Sequence, residues 1–382
     1  MNIVEKIRKL HEDQHRRNAP PVSASDIPLS FEAMSPQWLS KVLCKDVPGA
    51  QVMSRQLGPV DNGSSNRRKL QVTYNDAGQQ AGLPSKLFCK ASHDIANRVT
   101  LGVSGSLLGE TTFYNEVRPI LDIEAPVSVF ANYDDESFNS ILMLKDISDD
   151  VESFCSHETP MSKQRVESQM DVLATMHSRF LQSPELGTIL SVLPSFAGYL
   201  RKSMTFGFES GANQGFLDAE SVIPPALFKR FPEIWKKTVE STELQDQLPQ
   251  TFVHNDVHVK NWYIMPGDRM GLSDWQCCTR GHWSRDLAYA ISTACTVEDR
   301  RVWERDLIRY YLDKMEQAGA PKVSFDDAFT YYRQQMFSVL GFWTITLAPP
   351  PDLPDMQPKD ITLEFVRRIT VAMDDIDSID SL

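Results

Sequence analysis

Strand-like runs crowd the chain before residue 146, and long amphipathic helical stretches fill it afterwards. Strands and helices grouped in blocks, rather than alternating, argue for an α+β architecture instead of a parallel α/β one. In the first block the strand-like runs are 50–57, 69–74, 86–91, 127–131 and 139–145. Turn residues bound them, notably the polar stretch Asp61-Asn-Gly-Ser-Ser-Asn66. One helix is expected near 105–121, with Leu107, Phe113, Val117 and Leu121 on its apolar face. Ahead of the strands, Ile3, Ile7 and Leu10 mark a short amphipathic helix over 2–17. Ser35-Pro36 reads as the N-cap and first position of another, burying Trp38, Leu39, Val42 and Leu43.

In the second block, Val166, Met170, Leu173, Met176 and Phe180 recur at three- and four-residue spacing, which predicts a helix over 162–181. Further helices are expected at 225–243, 285–295, 299–317, 325–346 and 360–376. Short strands interrupt them at 251–253, 262–264 and 271–273. The expected boundary lies near Lys145–Ser148, dividing the chain into 1–145 and 146–382.

Charge narrows the function classes. With 39 Lys+Arg against 51 Asp+Glu the net charge is −12, which argues against a nucleic-acid binder with a basic face. An apolar fraction of 41% excludes global disorder. No apolar run is long enough to span a bilayer, and residues 1–18 are charged throughout, so neither a membrane anchor nor a signal peptide is expected. Six scattered cysteines without a CxxC pair fit reduced thiols in a cytoplasmic protein.

Chemistry concentrates in His254-Asn-Asp256-Val-His258-Val-Lys-Asn261 and in Asp274-Trp275, thirteen residues after Asn261. A short strand leads in and a strand pair joins the two, so Asp256, Asn261 and Asp274 can converge at adjacent strand ends. Hard oxygen ligands, few in number, suit Mg²⁺ completed by water and phosphate oxygens. That leaves the Asp256 carboxylate to accept a proton or orient a nucleophile. Two other readings use the same residues. His254, Asp256 and His258 could hold zinc in a metal-dependent hydrolase, or the Asx side chains could simply cap loops.

The pair HNDVHVKN and SDW resembles the catalytic and metal-binding loops of the aminoglycoside phosphotransferase and choline kinase superfamily, and the Asp-Trp-Gln form is similar to its ecdysteroid-kinase-like branch. Leu173-Ala-Thr-Met-His177-Ser-Arg-Phe180 resembles the LAxLHAxF helix of that group, and Gly281 with Asp286-Leu-Ala288 its G…DLA segment. Lys90 at a strand end and Glu110-Thr-Thr-Phe-Tyr114 resemble its lysine strand and ExxFY helix. The resemblance covers roughly 50–345 and implies a two-lobed protein-kinase-like fold. Residues 1–145 would form an N-terminal extension and a small β-rich, nucleotide-binding N-lobe. Residues 146–382 would form a larger helical C-lobe with the catalytic loop and substrate pocket.

The resemblance further implies an ATP- and Mg²⁺-dependent transfer of the γ-phosphate to a hydroxylated small molecule. Lys90 would hold the α/β-phosphates, with Glu110, or its competitor Glu116, orienting it. Asn261 and Asp274 would hold Mg²⁺, Asp256 would receive the hydroxyl proton, and His254 would brace the loop. GxGxxG is absent, so phosphate cradling would rest on Gly63, Ser64 and Ser65. A nucleotide-binding pseudokinase is the alternative within the same fold. Without Asp-Phe-Gly or Ala-Pro-Glu the chain does not read as a protein kinase. Phe206, Phe208, Phe216 and Phe228, with Glu209, Asp218 and Glu220, are expected to shape a partly apolar acceptor pocket.

Overall fold

The computed structural model describes residues 3–63, 65–350 and 357–382. Contacts divide the chain into two compact units, one of Met1–Ile120 with Pro126–Asp149 and one of Leu121–Ala125 with Asp150–Leu382. The division thus falls at Asp149/Asp150, a few residues beyond the change in sequence texture, and a five-residue piece preceding the fifth strand goes with the helical unit.

The first unit opens with helix α1 (Ile3–Arg17) and α2 (Pro36–Leu43). Ser35 caps α2 by accepting from the Trp38 backbone N–H at 3.1 Å, and Pro36 sits at the first turn where no N–H is needed. The strands are β1 (Val52–Leu57), β2 (Asp61–Asn62), β3 (Asn66–Tyr74), β4 (Lys86–Ala91), β5 (Ser128–Tyr133) and β6 (Ser140–Lys145), with the short α3 (Asp76–Gln80) between β3 and β4. They pair antiparallel in the order β1-β3-β4-β6-β5, with β2 folded back on β3. Alternate residues Leu70, Val72 and Tyr74 of β3 point into one core with Trp38, Leu39, Leu87, Cys89, Ile141 and Met143.

The helix expected near 105–121 starts earlier and is broken. α4 (Ile95–Ser104) ends at Gly105, whose φ of +82° puts the chain in the left-handed region, and α5 (Ser106–Thr112) follows, continued by a π-turn over Phe113–Val117. Asp94 stands at the N-cap of α4, but its carboxylate accepts the Asn66 side-chain amide at 2.6 Å instead of capping the helix.

The second unit carries β7 (Ser153–Phe154), α6 (Lys163–Phe180), α7 (Phe196–Met204), α8 (Phe208–Asp218), α9 (Pro225–Phe228) and α10 (Phe231–Asp246). Next come β8 (Thr251–Val253), the hairpin β9 (Trp262–Met265) and β10 (Arg269–Leu272), and β11 (Thr279–Gly281), paired with β8. Four long helices finish it: α11 (Ser284–Ala294), α12 (Val297–Gln317), α13 (Phe325–Thr344) and α14 (Lys359–Asp375). The helix expected over 225–243 is two, α9 and α10. Two of the aromatics expected to shape a pocket are core instead. Phe208 packs against Trp235 and Phe342, and Phe216 stacks on Phe228 and Phe231. Among the described residues no helix is long and apolar enough to cross a membrane.

Candidate active site

The loop after β8 is held from α11. The Asp286 carboxylate, with no exposed surface, accepts the backbone N–H groups of His254 at 2.7 Å and Asn255 at 2.8 Å. Burial pushes this carboxyl up, but the His177 imidazole and the His254 N–H more than offset it and hold it below the usual carboxylate range. His177 of α6 donates from Nε2 to Asp286 at 3.2 Å and accepts the Tyr311 hydroxyl on Nδ1 at 2.8 Å. Its ring is therefore satisfied by side chains rather than by backbone.

Asn255 takes a left-handed φ of +66°, which asparagine tolerates better than most residues. Its amide donates to the Thr279 hydroxyl at 2.6 Å and to the Cys277 carbonyl at 3.1 Å. The buried Arg285 guanidinium donates to both the side-chain and backbone oxygens of Asn255 and to Ser338 Oγ, with Phe196 and Phe342 rings beneath it at 4.2 and 4.8 Å. His254 accepts the Asp256 N–H on Nδ1 and donates from Nε2 to the Ser273 carbonyl, both at 3.1 Å. Burial keeps this imidazole below its ordinary pKa and hence neutral.

Asp256, at 24% side-chain exposure, is the carboxylate of this loop that a substrate can reach, whereas Asp286 is sealed. Its Oδ2 accepts from Asn261 Nδ2 at 3.0 Å, and its Oδ1 accepts the Tyr289 hydroxyl at 3.2 Å. Asn261 Nδ2 also donates to the Asp256 carbonyl at 2.7 Å, which turns Oδ1 to the other side of the amide. Leu272 pairs with Trp262 across the β9–β10 hairpin, so Asn261 and Ser273 meet at its base. There Ser273 donates its N–H and hydroxyl to the Asn261 carbonyl at 2.9 and 2.8 Å. Asp274 follows directly, in the left-handed conformation at φ +63°. An amide oxygen and a carboxylate at one hairpin base are hard donors of the kind Mg²⁺ takes. The zinc alternative has no such support, because His254 spends both ring nitrogens on the backbone. Among the described residues no group of three His, Cys, Asp or Glu side chains could hold a metal.

The other predicted residues lie in the first unit. Lys90 in β4 is buried and ion-paired to Glu110 of α5 at 2.7 Å. Together with Ser65, Leu107 and Ile141 they line one recess of the first unit. Lys86 is exposed and pairs with Asp149 at 2.6 Å. Gly63 lies exposed in the turn joining β2 to β3, where its N–H donates to the Ser65 carbonyl at 3.0 Å. Ser64 lies outside the described residues.

The phosphotransferase enzyme family, APH, matches residues 171–321, a span that holds the whole loop system from His177 to Arg285. Over that segment the chain is similar to phosphotransferases. No curated protein matches the sequence. The wild-type aminoglycoside 2'-phosphotransferase-IIIa in its GDP complex superposes with a TM-score of 0.53 at 9% identity, over 89% of this chain and 99% of that one. Plasmodium vivax ethanolamine kinase superposes at 0.51 and 12% identity, over 99% and 96%. At such identities the likeness is one of fold, protein-kinase-like and α+β.

Three residues around the loop were not singled out by sequence reasoning: Asn255, Arg285 and Tyr289. Asn255 carried a signal, since asparagine between two polar residues often marks a left-handed turn. Arg285 and Tyr289 carried none. Each lies on a helix that is buried along its entire length, so no apolar stripe distinguishes an inward polar side chain from an outward one.

Proposed function

We propose that this phosphotransferase moves the γ-phosphate of ATP to a hydroxyl of a small molecule with Mg²⁺. The observation that carries the proposal is the state of Asp256. It is a partly exposed carboxylate whose two oxygens are hydrogen-bonded to neutral donors, Asn261 and Tyr289. A carboxylate held this way presents a fixed acceptor to an incoming hydroxyl.

In the reaction the bond between the γ-phosphorus and the ADP oxygen breaks, and a bond from the substrate oxygen forms. Asp256 orients that hydroxyl and takes its proton. Asn261 Oδ1 and Asp274 would hold Mg²⁺, which when bound screens the charge of the phosphate oxygens. Lys90, oriented by Glu110, would hold the α/β-phosphates, with Gly63, Ser64 and Ser65 in the phosphate turn. His254 braces the loop and Asp286 fixes its backbone. The acceptor belongs to the class of hydroxylated small molecules, and the ecdysteroid-kinase-like form of Asp274-Trp-Gln is part of this proposal. Against the pseudokinase alternative stands a full set of hydrogen-bonded candidates for base, metal ligand and phosphate lysine.

Calorimetry with and without Mg²⁺ tests the reading, followed by an ADP-release screen against hydroxylated metabolites and antibiotics. ATP is expected to bind more tightly with Mg²⁺, and that gain is expected to vanish in Asp274→Ala. Equal affinity with and without Mg²⁺ overturns the metal assignment. Nucleotide binding with no turnover across the screen favours the pseudokinase.

A further inference from the structure

An aspartate carboxylate rotates easily, because the torsion joining it to its methylene is broad and two-fold. One hydrogen bond to one oxygen leaves the plane of the group free to swing. In Asp256 both oxygens are held, Oδ2 by Asn261 and Oδ1 by the Tyr289 hydroxyl at 3.2 Å. Asn261 comes from the loop itself, whereas Tyr289 comes from α11, 33 residues away in sequence. His258 Nε2 stands 3.6 Å from the same Oδ1, beyond hydrogen-bonding distance, so the hydroxyl is the donor that fixes this oxygen. Tyr289 is itself rigid. It is 3% exposed, with the Arg285 guanidinium 5.6 Å from its ring centre and the His258 ring 6.2 Å away.

We propose that Tyr289 is a positioning residue for phosphoryl transfer, its hydroxyl setting the plane of the Asp256 carboxylate so that one lone pair faces the attacking hydroxyl. This rests on the kinase reading above. A buried tyrosine hydroxyl needs an acceptor, and a backbone carbonyl would serve for packing alone. Using the reachable carboxylate of the loop instead couples α11 to the group that meets substrate. Tyr289 touches neither nucleotide phosphate nor metal in this scheme, so its loss acts on turnover and leaves nucleotide binding alone.

The test is a two-by-two set of full-length variants: wild type, Tyr289→Phe, Asp256→Asn and the double variant. Each is assayed for ADP release from Mg·ATP, with water as acceptor until a better one is found. Phenylalanine fills the same space and keeps the ring contacts. Tyr289→Phe is expected to lower kcat by about 10-fold, with the KM for ATP within about twofold. Added to Asp256→Asn it is expected to change kcat by less than about twofold, because the group it positions is already gone. Equal losses in both backgrounds, a raised KM at unchanged kcat, or wild-type turnover in Tyr289→Phe overturns the assignment. If wild type releases ADP no faster than Asp256→Asn, the kinase reading itself fails and this inference with it. A slow Asp256→Asn beside a normal Tyr289→Phe overturns the inference alone.

Discussion

Asp286 accepts the backbone N–H of Asn255 at 2.8 Å across 31 residues of sequence, joining the buried start of α11 to the loop that carries Asp256. The same carboxylate takes the His254 N–H and the His177 imidazole, so one side chain organises three elements of the second unit. Removing it leaves two backbone N–H groups and an imidazole donor buried without their acceptor. Asp286→Ala is therefore expected to cost roughly 3–5 kcal/mol of stability, read by urea unfolding. A loss below about 1 kcal/mol would show that the loop is held by something else.

Lys90 and Lys86 sit on one strand with opposite surroundings. Lys90 is buried beside Glu110, and Lys86 is exposed beside Asp149. An exposed ion pair contributes about 0–1 kcal/mol, so Lys86→Ala is expected to leave ATP affinity unchanged. Lys90→Ala is expected to weaken it by about tenfold or more, since a charged contact to phosphate is lost. Titration calorimetry ranks the two, and a reversed ranking would overturn the assignment of Lys90.

Stability is expected to fall with acid through the buried histidines. Burial pushes His282 from 6.5 down to about 3, and His93 to about 4. Above pH 6.5 these rings are neutral in the folded and unfolded chain alike. Below it the unfolded chain gains protons that the folded chain refuses, so stability present at neutral pH is lost as pH falls from about 6.5 towards 3. One such group contributes a slope of about 1.4 kcal/mol per pH unit. His282→Gln keeps a polar group near Ser284 and should flatten the dependence of the urea midpoint on pH by about one proton. An unchanged slope would mean that His282 already titrates in the native state.

Gly215 of α8 packs against α13 so closely that a Cβ would stand 1.8 Å from the Thr344 carbonyl oxygen. Gly215→Ala gains about 1 kcal/mol of helix propensity. Separating the two helices costs at least as much as a strained core, about 1–3 kcal/mol or more. Net destabilisation is expected, with a lower thermal midpoint. Gly187→Ala, where nothing lies within 4 Å of the added carbon, serves as the control and should melt like wild type.

What the sequence determined by itself is what local physics writes into it. Ser35-Pro36 starts α2 and the three- and four-residue recurrence from Val166 marks α6, because caps and helical periodicity need only near neighbours. Five of the six strands from 52 to 145 were legible for the same reason, through their short apolar runs, whereas β2 and the first residues of β3 lie in the stretch that reads as a polar turn. So was the resemblance to phosphotransferases, through the spacing of His254, Asp256, Asn261 and Asp274, which lie close along the chain. Tertiary structure alone decided the rest. Asp94 serves Asn66 rather than its own helix, Phe208 and Phe216 went to the core, and Arg285, Asp286 and Tyr289 turned towards the loop before them. Those choices depend on which distant segments come to lie alongside one another. A polar side chain on a helix buried all round leaves no periodic trace of the partner that satisfies it.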